Sequence, residues 1–412
     1  MNAGRPRAPR PHREAVPRPI PPPINEDVGR TAALARKVAI RAARSFPLRP
    51  IDELLAEHLA GNELTTLLMH AFRERARRRT FAHVLEQAEK LLMTHPSQAS
   101  ARRLHAFDGV AFGCARDFEA LDLAPVEPLG LAPCTGVDAN NVLATLRFGE
   151  VAADPSTALA LAAARRKRAG RGNTKIRLCT SQRVLRLQPW EQPGFSPHFR
   201  LFALGTFVRS ARAREDDATE RHALREQIAV FCEMFDALPA AEFAPTTLRI
   251  VVSDTRLVAA ALGKRGLDVE GLARRATSNR PSVAAELLAK VDGVPRASED
   301  PARDAAALGL GPAEQGLAAA LHDDLASLRT RAPLTFDFAR LQGANYYRGP
   351  YVQLVARRAD GFELPIGDGG AVPWMEELLS DHRERMVSTG LGSEIFVKLF
   401  DSNHRDDADE LQ

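Results

Sequence analysis

The sequence has few cysteines, and their spacing does not suit a metal site or a disulfide framework. The four are Cys114, Cys134, Cys179 and Cys232, with no Cys-x-x-Cys pair among them. Zinc sites and small disulfide-rich folds both use closely spaced cysteines. We therefore expect buried, reduced thiols, which is the common state of free cysteine.

Long hydrophobic runs are also missing. No apolar run approaches the roughly 20 residues that a membrane-spanning helix needs. Proline and arginine interrupt the chain as far as Ile24, so it does not begin with a signal-peptide core. The sequence predicts a cytoplasmic protein that does not insert into a membrane. Its 412 residues, 45% of them hydrophobic, can form one large core or two moderate ones.

The common catalytic motifs are absent as well. The chain contains no Gly-x-x-x-x-Gly-Lys phosphate loop, no Gly-x-Gly-x-x-Gly, no His-Glu-x-x-His and no Gly-x-Ser-x-Gly. Histidines are sparse and scattered, so we predict no metal site. The function must therefore be sought in less general patterns.

Positive charge is concentrated at the N-terminus. Residues 1–80 carry 16 Lys/Arg against 8 Asp/Glu, although the whole chain has a net charge of only +4. Residues 1–24 hold eight prolines and five arginines, and we expect a disordered tail there. Such a tail can contact RNA or an acidic partner, but its composition more strongly favours a solvated arm.

Residues 25–109 are predicted to form a helical region. Apolar residues recur at helical spacing, and one stripe is expected to be core rather than a binding face. The stripe consists of Leu64, Leu67, Leu68, Ala71 and Phe72. The predicted helices are Ile51–Leu59, Leu64–Arg78 and Phe81–Leu92.

From about Val110 the chain changes to shorter apolar runs separated by Pro and Gly. Thr174–Arg186 and Phe199–Val208 are predicted to be long antiparallel strands joined by the wide loop Pro189–Pro197. We expect a first part at residues 110–263, a helical insertion at 264–332, a second part at 333–400 and a polar tail at 401–412. The other predicted elements are a helix at Leu224–Leu238, a strand at Thr247–Val252, a helix at Thr255–Leu262, strands at Leu334–Phe338 and Tyr346–Arg357, and a strand and closing helix within Val387–Leu399.

Two arginines mark the mouth of the predicted strand pair. Arg186 ends the first strand and Arg200 opens the second. Two guanidinium groups at this place could clamp a phosphate or a carboxylate. The alternative, which the residues by themselves favour, is that both arginines are solvated at the sheet end.

A second candidate is the tyrosine pair between Gly343 and Gly349. Tyr346 and Tyr347 would lie at a strand start, near Gly-rich turns, where a ligand can approach the backbone closely. The alternative is a packed aromatic pair at a turn. The residues alone do not favour one over the other.

Together these segments resemble a known family. IRLCTSQRVLR (Ile176–Arg186) and HFRLFALG (His198–Gly205) look like motif 2 of histidyl-tRNA synthetases, which are class II aminoacyl-tRNA synthetases. They are at least as similar to a paralogue, the regulatory subunit of ATP phosphoribosyltransferase. LTFDFARLQGANYYRGPYV (Leu334–Val352) is similar to the histidine-recognition segment, and STGLGSEIF (Ser388–Phe396) falls where motif 3 lies.

The resemblance covers roughly residues 110–400 and adds further site residues. Asp154 and Ser156 match an Asp-x-Thr/Ser element of the regulatory paralogue. Gly369 and Gly370, in the sequence GDGG, fall where the family has Gly-Gly-Arg-Tyr-Asp. The ligand-binding residues that the resemblance implies are Asp154, Arg186, Arg200, Tyr346, Tyr347, Gly369 and Gly370.

The sequence departs from the family at several charged positions. The motif 3 arginine matches Ile395, the arginine that opens the recognition segment matches Gln342, and the arginine of Gly-Gly-Arg matches Ala371. Where the family has an acidic residue two positions after the motif 2 arginine, this chain has Gln188. Where the family has an acidic residue next to the tyrosines, this chain has Asn345. Ordinary histidine activation is therefore not expected, whereas a binding pocket is.

The resemblance implies an α+β fold, a class II antiparallel sheet flanked by helices, and a homodimer. The leading interpretation is an amino-acid-binding regulatory paralogue without synthetase activity, whose partner would be a catalytic phosphoribosyltransferase subunit. One alternative is a divergent adenylate-forming enzyme that uses ATP and magnesium to load an amino acid onto a carrier protein. A second alternative is an RNA- or protein-binding scaffold. No cofactor is predicted for the leading interpretation.

Overall fold

A computed structural model describes residues 51–58, 60–171, 175–188, 195–210, 217–244, 246–276, 286–287 and 289–401. The chain divides into two compact units, residues 1–71 and 72–412. In the first unit the described residues form α1 (Ile51–Glu53), a π-helical turn and the first part of α2 (Gly61–Arg77). The predicted tail 1–24, residues 25–50 and most of the predicted polar tail lie outside the described residues.

The second unit contains most of the helices and all of the described strands. No helix in the described part of the chain is long and apolar enough to cross a membrane. The helices are α3 (Phe81–Lys90), α4 (Ala101–Cys114), α5 (Leu131–Cys134), α6 (Pro155–Arg166), α7 (Asp217–Ala237), α8 (Thr255–Gly263), α9 (Val269–Ala276), α10 (Pro301–Ala307), α11 (Pro312–Leu325), α12 (Trp374–Leu379) and α13 (Ser393–Phe400). The strands are β1 (Glu119–Ala120), β2 (Val126–Pro128), β3 (Gly149–Val151), β4 (Ile176–Leu185), β5 (His198–Arg209), β6 (Thr246–Asp254), β7 (Leu334–Phe336), β8 (Pro350–Arg358), β9 (Glu363–Val372) and β10 (Glu384–Leu391).

Eight strands form one sheet in the order β1-β4-β5-β10-β9-β8-β6-β7, and β2 pairs with β3 separately. The six central strands are antiparallel, while the edge pairs β1–β4 and β6–β7 are parallel. The predicted α+β fold with a largely antiparallel sheet is confirmed. The strands come from both sides of residues 264–332, a segment that contains α9, α10 and α11.

The two long strands predicted at motif 2 are present and paired. β4 and β5 are antiparallel, with Ile176 opposite Phe207 and Leu185 opposite His198. Apolar residues alternate in part along β4, as expected for a strand, because successive side chains point to opposite faces. The connecting loop was predicted from its prolines, and residues 189–194 of it lie outside the described residues.

The sheet separates two apolar clusters. On one face, α4, α7 and α13 pack against it through residues such as Phe107, Phe231 and Phe396. On the other face, α6 and α12 cover a smaller cluster that includes Leu159 and Tyr351. The candidate site lies on this second face, where less helix covers the sheet.

The predicted core stripe on α2 is not buried. Leu67 is 47% exposed and Phe72 is 54% exposed, while Leu64 and Leu68 are only partly buried. The periodicity correctly predicted a helix with an apolar face. The prediction that this face is core is wrong, because the repeat of apolar residues does not determine what covers them.

Three of the four cysteines are buried, as predicted, and Cys134 is exposed. Burial raises the pKa of Cys179 to about 12 and that of Cys232 to about 11. These two thiols stay protonated at neutral pH, so they are poor nucleophiles.

Candidate functional site

The site is built around the start of α6. Asp154 caps this helix by accepting a hydrogen bond from the Ser156 backbone N–H at 2.8 Å, and Pro155 occupies the first turn. Asp followed by Pro is a strong helix-start signal, because the carboxylate satisfies a free N–H and proline fixes a helical φ. Ser388 of β10 donates a hydrogen bond to the Ser156 hydroxyl at 2.8 Å. The helix start is thereby fixed to the middle of the sheet.

Arg186 directly follows β4 and holds Asp154 in place. Its Nη2 lies 2.9 Å from Asp154 Oδ2, and its Nε donates to the Ala153 carbonyl at 2.7 Å. The guanidinium carbon lies 5.7 Å from the centre of the Phe199 ring. The side chain remains 25% exposed. Arg186 is therefore bound to the start of α6 while still reaching solvent.

Arg200 lies on the opposite face of the sheet. Residues directly opposite each other in an antiparallel pair share a face, and Arg200 is opposite Arg183. Arg183 pairs with Glu394 of α13 at 2.8 Å, and Arg200 pairs with Asp108 of α4 at 3.3 Å. The structure does not bring Arg200 together with Arg186, so the two-arginine clamp that their positions allowed is not formed.

The two tyrosines lie on a turn, which corrects the predicted strand from Tyr346. β8 begins only at Pro350. The backbone φ is +86° at Gly343 and +92° at Gly349, a left-handed conformation that favours glycine and is incompatible with an extended strand. The Tyr346 and Tyr347 ring centres are 5.0 Å apart in an edge-to-face arrangement. Tyr347 also stacks on Tyr351 at 5.4 Å.

The GDGG sequence is part of strand β9 rather than of a Gly-rich turn. Gly370 faces the tyrosines, and a Cβ there would lie 2.6 Å from Tyr351 Cβ and 2.9 Å from Tyr347 Cδ1. Gly369 faces the other way, where a Cβ would lie 2.3 Å from Thr389 Cγ2. Gly370 therefore makes room for the tyrosines, and Gly369 allows close approach to β10.

Two charged residues join this group that the sequence did not single out as site residues. Burial raises the pKa of Asp368, and the nearby Asp154 adds to the rise, while Arg340, a hydrogen bond from Tyr347 and Arg186 lower it. The Asp368 residue is exposed to solvent. The protein around its carboxyl group still displaces enough water to disfavour the charged form, and the pKa therefore rises. Arg340 follows β7 and lies with its guanidinium carbon 4.8 Å from the centre of the Tyr351 ring.

Burial also raises the pKa of both Tyr346 and Tyr347 well above the usual value of 10.0. Asp154 contributes to the rise at Tyr346, and Asp368 contributes at Tyr347. Both phenols therefore remain neutral and can donate hydrogen bonds. We call the following group the tyrosine site: Asp154, Arg186, Arg340, Tyr346, Tyr347 and Asp368.

The tyrosine site carries two carboxylates, two guanidinium groups and two neutral hydroxyls. Their charges balance, and both signs are present within one small region. Such a site suits a ligand that itself carries both charges, because each ionic group needs a partner of opposite sign when it is partly desolvated. A free amino acid is the simplest ligand of this kind.

At three positions where the resemblance expects arginine, the structure places no cation. Ile395 lies partly buried at the start of α13, Ala371 is buried in β9, and Gln342 is exposed. Among the described residues, no group of three or more His, Cys, Asp or Glu side chains could hold a metal ion. The arginines that the resemblance expects beside a triphosphate are therefore replaced by uncharged residues at these three positions.

Two open surface depressions lie away from this site. One, lined by side chains of α2 and α3 with Arg75, Arg79 and Lys90 among them, has a volume of about 450 Å³. The other, of about 410 Å³, is lined by residues near α9. Neither brings together a group of buried polar side chains, so we place the candidate function at the tyrosine site.

No protein-family model and no curated protein matches the chain. Several solved structures share its fold. An ATP phosphoribosyltransferase regulatory subunit/histidyl-tRNA synthetase from Bacillus halodurans is 16% identical, with a TM-score of 0.53, covering 75% of this chain and 85% of that one. A histidyl-tRNA synthetase from Nostoc sp. PCC 7120 is 13% identical, with a TM-score of 0.52, covering 74% and 73%. A histidine–tRNA ligase subunit from Alicyclobacillus acidocaldarius is 18% identical, with a TM-score of 0.52, covering 77% and 96%.

At these identities the similarity shows the fold alone. The chain has a histidyl-tRNA-synthetase-like class II core, and the resemblance drawn from its motifs is confirmed at that level. Function must be argued from the site, since one fold supports many functions.

Proposed function

We propose that this protein binds a free amino acid at the tyrosine site and acts as a regulatory subunit rather than as a synthetase. The observation that carries the proposal is the contrast between two sets of positions. The tyrosine site retains paired charges and neutral hydroxyls, whereas Ile395, Gln342 and Ala371 are uncharged where the family has arginines.

The amino acid would be held by charge and by hydrogen bonds. Its ammonium group has carboxylate partners in Asp154 and Asp368, and its carboxylate has guanidinium partners in the same site. The tyrosine hydroxyls add neutral donors. Histidine is the first candidate because the segment carrying the tyrosines resembles a histidine-recognition segment.

Activation of the amino acid is not part of this proposal. Forming an adenylate places negative charge on a transferring phosphoryl group, and each lost cationic or hydrogen-bonding contact costs about 3 kcal/mol of transition-state stabilisation. Three uncharged replacements are therefore expected to abolish ordinary activity. The partner would then carry the chemistry, and we propose a catalytic phosphoribosyltransferase subunit, with this chain as a homodimer. The Bacillus halodurans structure, described as a regulatory subunit/synthetase, supports this choice.

A second candidate is an enzyme that activates an amino acid with ATP and magnesium for a carrier protein. The retained Arg186 on motif 2, still 25% exposed, favours it. The two candidates differ in one assay. The regulatory protein has no amino-acid-dependent ATP–pyrophosphate exchange, and the activating enzyme has it.

Calorimetry against all twenty amino acids tests the binding proposal. We expect one of them, first of all histidine, to bind with a dissociation constant below millimolar. Absence of binding by every amino acid at millimolar concentration would rule the proposal out. Exchange with a rate near one per second, at the slow end for enzymes, would replace regulation with activation. Size-exclusion chromatography with a short-form phosphoribosyltransferase catalytic subunit tests the partner.

A further inference from the structure

Arg340 is the most unusual charged residue of the tyrosine site. Its side chain is buried, with only 3% of the residue exposed. Within the described part of the chain, its Nε and Nη1 atoms are enclosed and have no hydrogen-bond partner. A guanidinium group cannot lose its proton in a protein, so this residue carries a buried positive charge with two unused donors. Such a group is costly unless something else pairs with it.

The nearby protein groups leave this charge only partly compensated. The carboxylate of Asp337 accepts the Ala339 backbone N–H at 2.7 Å and pairs with Arg296 at 3.5 Å. Asp368 lies near enough to interact with the Arg340 charge, without a hydrogen bond between the two. The Tyr351 ring lies beneath the guanidinium group at 4.8 Å and offers a weaker cation–π contact. The Nε and Nη1 donors of Arg340 therefore have no anionic partner among the described residues.

The chain position of Arg340 adds a second observation. The resemblance expects an arginine at Gln342, which is exposed and uncharged here. Arg340 stands two residues earlier in the same segment, and its guanidinium group lies over the Tyr351 ring, which stacks on Tyr347. One segment therefore lacks the expected arginine at Gln342 and carries a buried arginine at position 340, beside the Tyr351 ring.

We propose that Arg340 binds the α-carboxylate of the amino acid at the tyrosine site, while Asp368 receives its α-ammonium group. The two ligand groups are attached to one carbon atom, so neighbouring charges of opposite sign match them. A guanidinium group can bind a carboxylate through two parallel hydrogen bonds. This inference rests on the proposed amino-acid binding and makes it more specific, because Arg340 would distinguish an amino acid from the corresponding amine.

The test compares histidine with histamine, which lacks the carboxylate, in calorimetry on the full chain. The variant Arg340→Met replaces the charge by an apolar side chain of similar length. We expect the wild-type protein to prefer histidine over histamine by about ten- to a hundred-fold, the effect of a hydrogen bond to a charged group. The Met variant should lose this preference while binding histamine as before. If a different amino acid binds, its own amine replaces histamine.

Stability gives a second measurement. Removing this partly compensated buried charge should change the melting temperature of the ligand-free protein little, because the relieved desolvation cost opposes the lost interactions with Asp337 and Asp368. The control is Arg348→Met, eight residues later, where the arginine is exposed and pairs with Glu376 at 3.0 Å. The control should keep the histidine preference.

The outcomes separate this inference from the function on which it rests. If the Met variant still prefers histidine, or if it loses histidine and histamine equally, Arg340 does not hold the carboxylate, and amino-acid binding by the wild-type protein is unaffected. If the wild-type protein binds none of the twenty amino acids, the proposed function fails and this inference fails with it.

Discussion

At the residue scale, the charged side chains around the sheet are distinguished by the face on which they lie. Arg186 and Arg200 look equivalent in the sequence, since each flanks the same loop. In the structure, Arg186 bonds to the helix cap Asp154, whereas Arg200 bonds to Asp108 beneath the other face. Of these two arginines, only Arg186 lies at the tyrosine site.

The substitution Arg186→Ala should weaken amino-acid binding by about 1.5–3 kcal/mol, because it removes a charged hydrogen-bonding group that also orients Asp154. Folding should lose about 1 kcal/mol, since the Ala153 carbonyl and the Asp154 carboxylate lose their partner. Calorimetry and urea unfolding on the same protein measure both effects. Arg200→Ala is the matched control, and it should keep the ligand affinity. Equal loss of affinity in both variants would contradict the assignment of the faces.

A second prediction concerns Glu127 on β2, which lies opposite Glu150 on β3. Glu127 is buried, and its Oε1 accepts a hydrogen bond from Thr157 at 2.7 Å, while Oε2 has no partner among the described residues. Burial raises the pKa of Glu127 to about 7 from the usual 4.5, with Asp154 and Glu150 adding to the rise. The folded protein thus binds this proton more tightly than the unfolded chain does.

The resulting stability is fully present below about pH 4.5 and is lost as the pH rises through about 7. Glu127→Gln has no proton to lose, so relative to the wild-type protein it should gain stability between pH 5 and pH 8. The gain should be about 3 kcal/mol, the equivalent of this pKa shift. Urea unfolding at several pH values measures it. Glu89→Gln on the exposed surface of α3 is the control, and an equal pH response of Glu127→Gln and wild type would refute the assignment.

The sequence singled out some of the residues that the structure brings together at the tyrosine site, but not all of them. Asp154, Arg186 and the two tyrosines were found because their motifs survive, and the structure places them together. Asp368 was missed because glycines flank it, and such a stretch suggests a turn rather than a strand. Arg340 was missed because the expected arginine belongs two residues later, and burial of a charge leaves no mark on the sequence.

At the element scale, the long strands were predictable and the glycine-rich strand was not. β4 alternates in part between buried and less buried positions, and β5 is a long apolar run that is buried through its middle. In β9 the residues Gly367, Gly369 and Gly370 have no side chains to alternate, so the strand gives no periodic signal. Neighbouring elements require glycine at these positions, because an added Cβ atom would lie less than 3.0 Å from β10 or from the tyrosines. Contacts between distant strands cannot be derived from one local pattern.

This packing predicts that Gly370→Ala is destabilising. The new Cβ would lie 2.7 Å from the Pro350 carbonyl oxygen and 2.6 Å from Tyr351 Cβ, and both positions are held by the β8 backbone. We expect a loss of about 1–3 kcal/mol from overpacking. Gly390→Ala in β10 is the matched control, because the nearest atom to its added Cβ is the Phe202 carbonyl oxygen at 3.9 Å. It should change stability by less than about 0.5 kcal/mol. Urea unfolding compares the two, and equal stability would contradict the packing argument.

At the scale of the whole molecule, the sheet provides the rigid part of the site. The tyrosine site draws on α6, β4, β9 and the segments before β8, which are distant in the sequence and meet on one face. The sequence pattern predicted a helical region, then a part with both strands and helices, and then a helical insertion. The meeting of these segments was available only through resemblance, because a single sequence does not show which strands become neighbours.

The two apolar clusters also indicate where the stable fold begins. Both draw only on residues from Ala99 onward, and α3 contributes no buried residue. Just before Ala99, His198 of β5 bonds to the His95 carbonyl at 2.6 Å and Ser97 donates to Glu394 of α13 at 2.7 Å. A chain that starts at His95 should therefore retain every residue on which the clusters depend.

We predict that such a chain melts within about 3 °C of the full-length protein, because 1 kcal/mol shifts the melting temperature by about 2–4 °C in a domain of 150–250 residues, and that it binds its amino acid with unchanged affinity. A chain starting at Ala115 is the control. It lacks α4 and with it Phe107, which is fully buried and packs edge-to-face against Phe243 at 6.0 Å. Removing such an aromatic side chain alone costs about 3–5 kcal/mol, so this control should not fold. Calorimetric melting of both proteins decides the matter, and a fall of ten degrees for the chain from His95 would show that the residues before it stabilise the core.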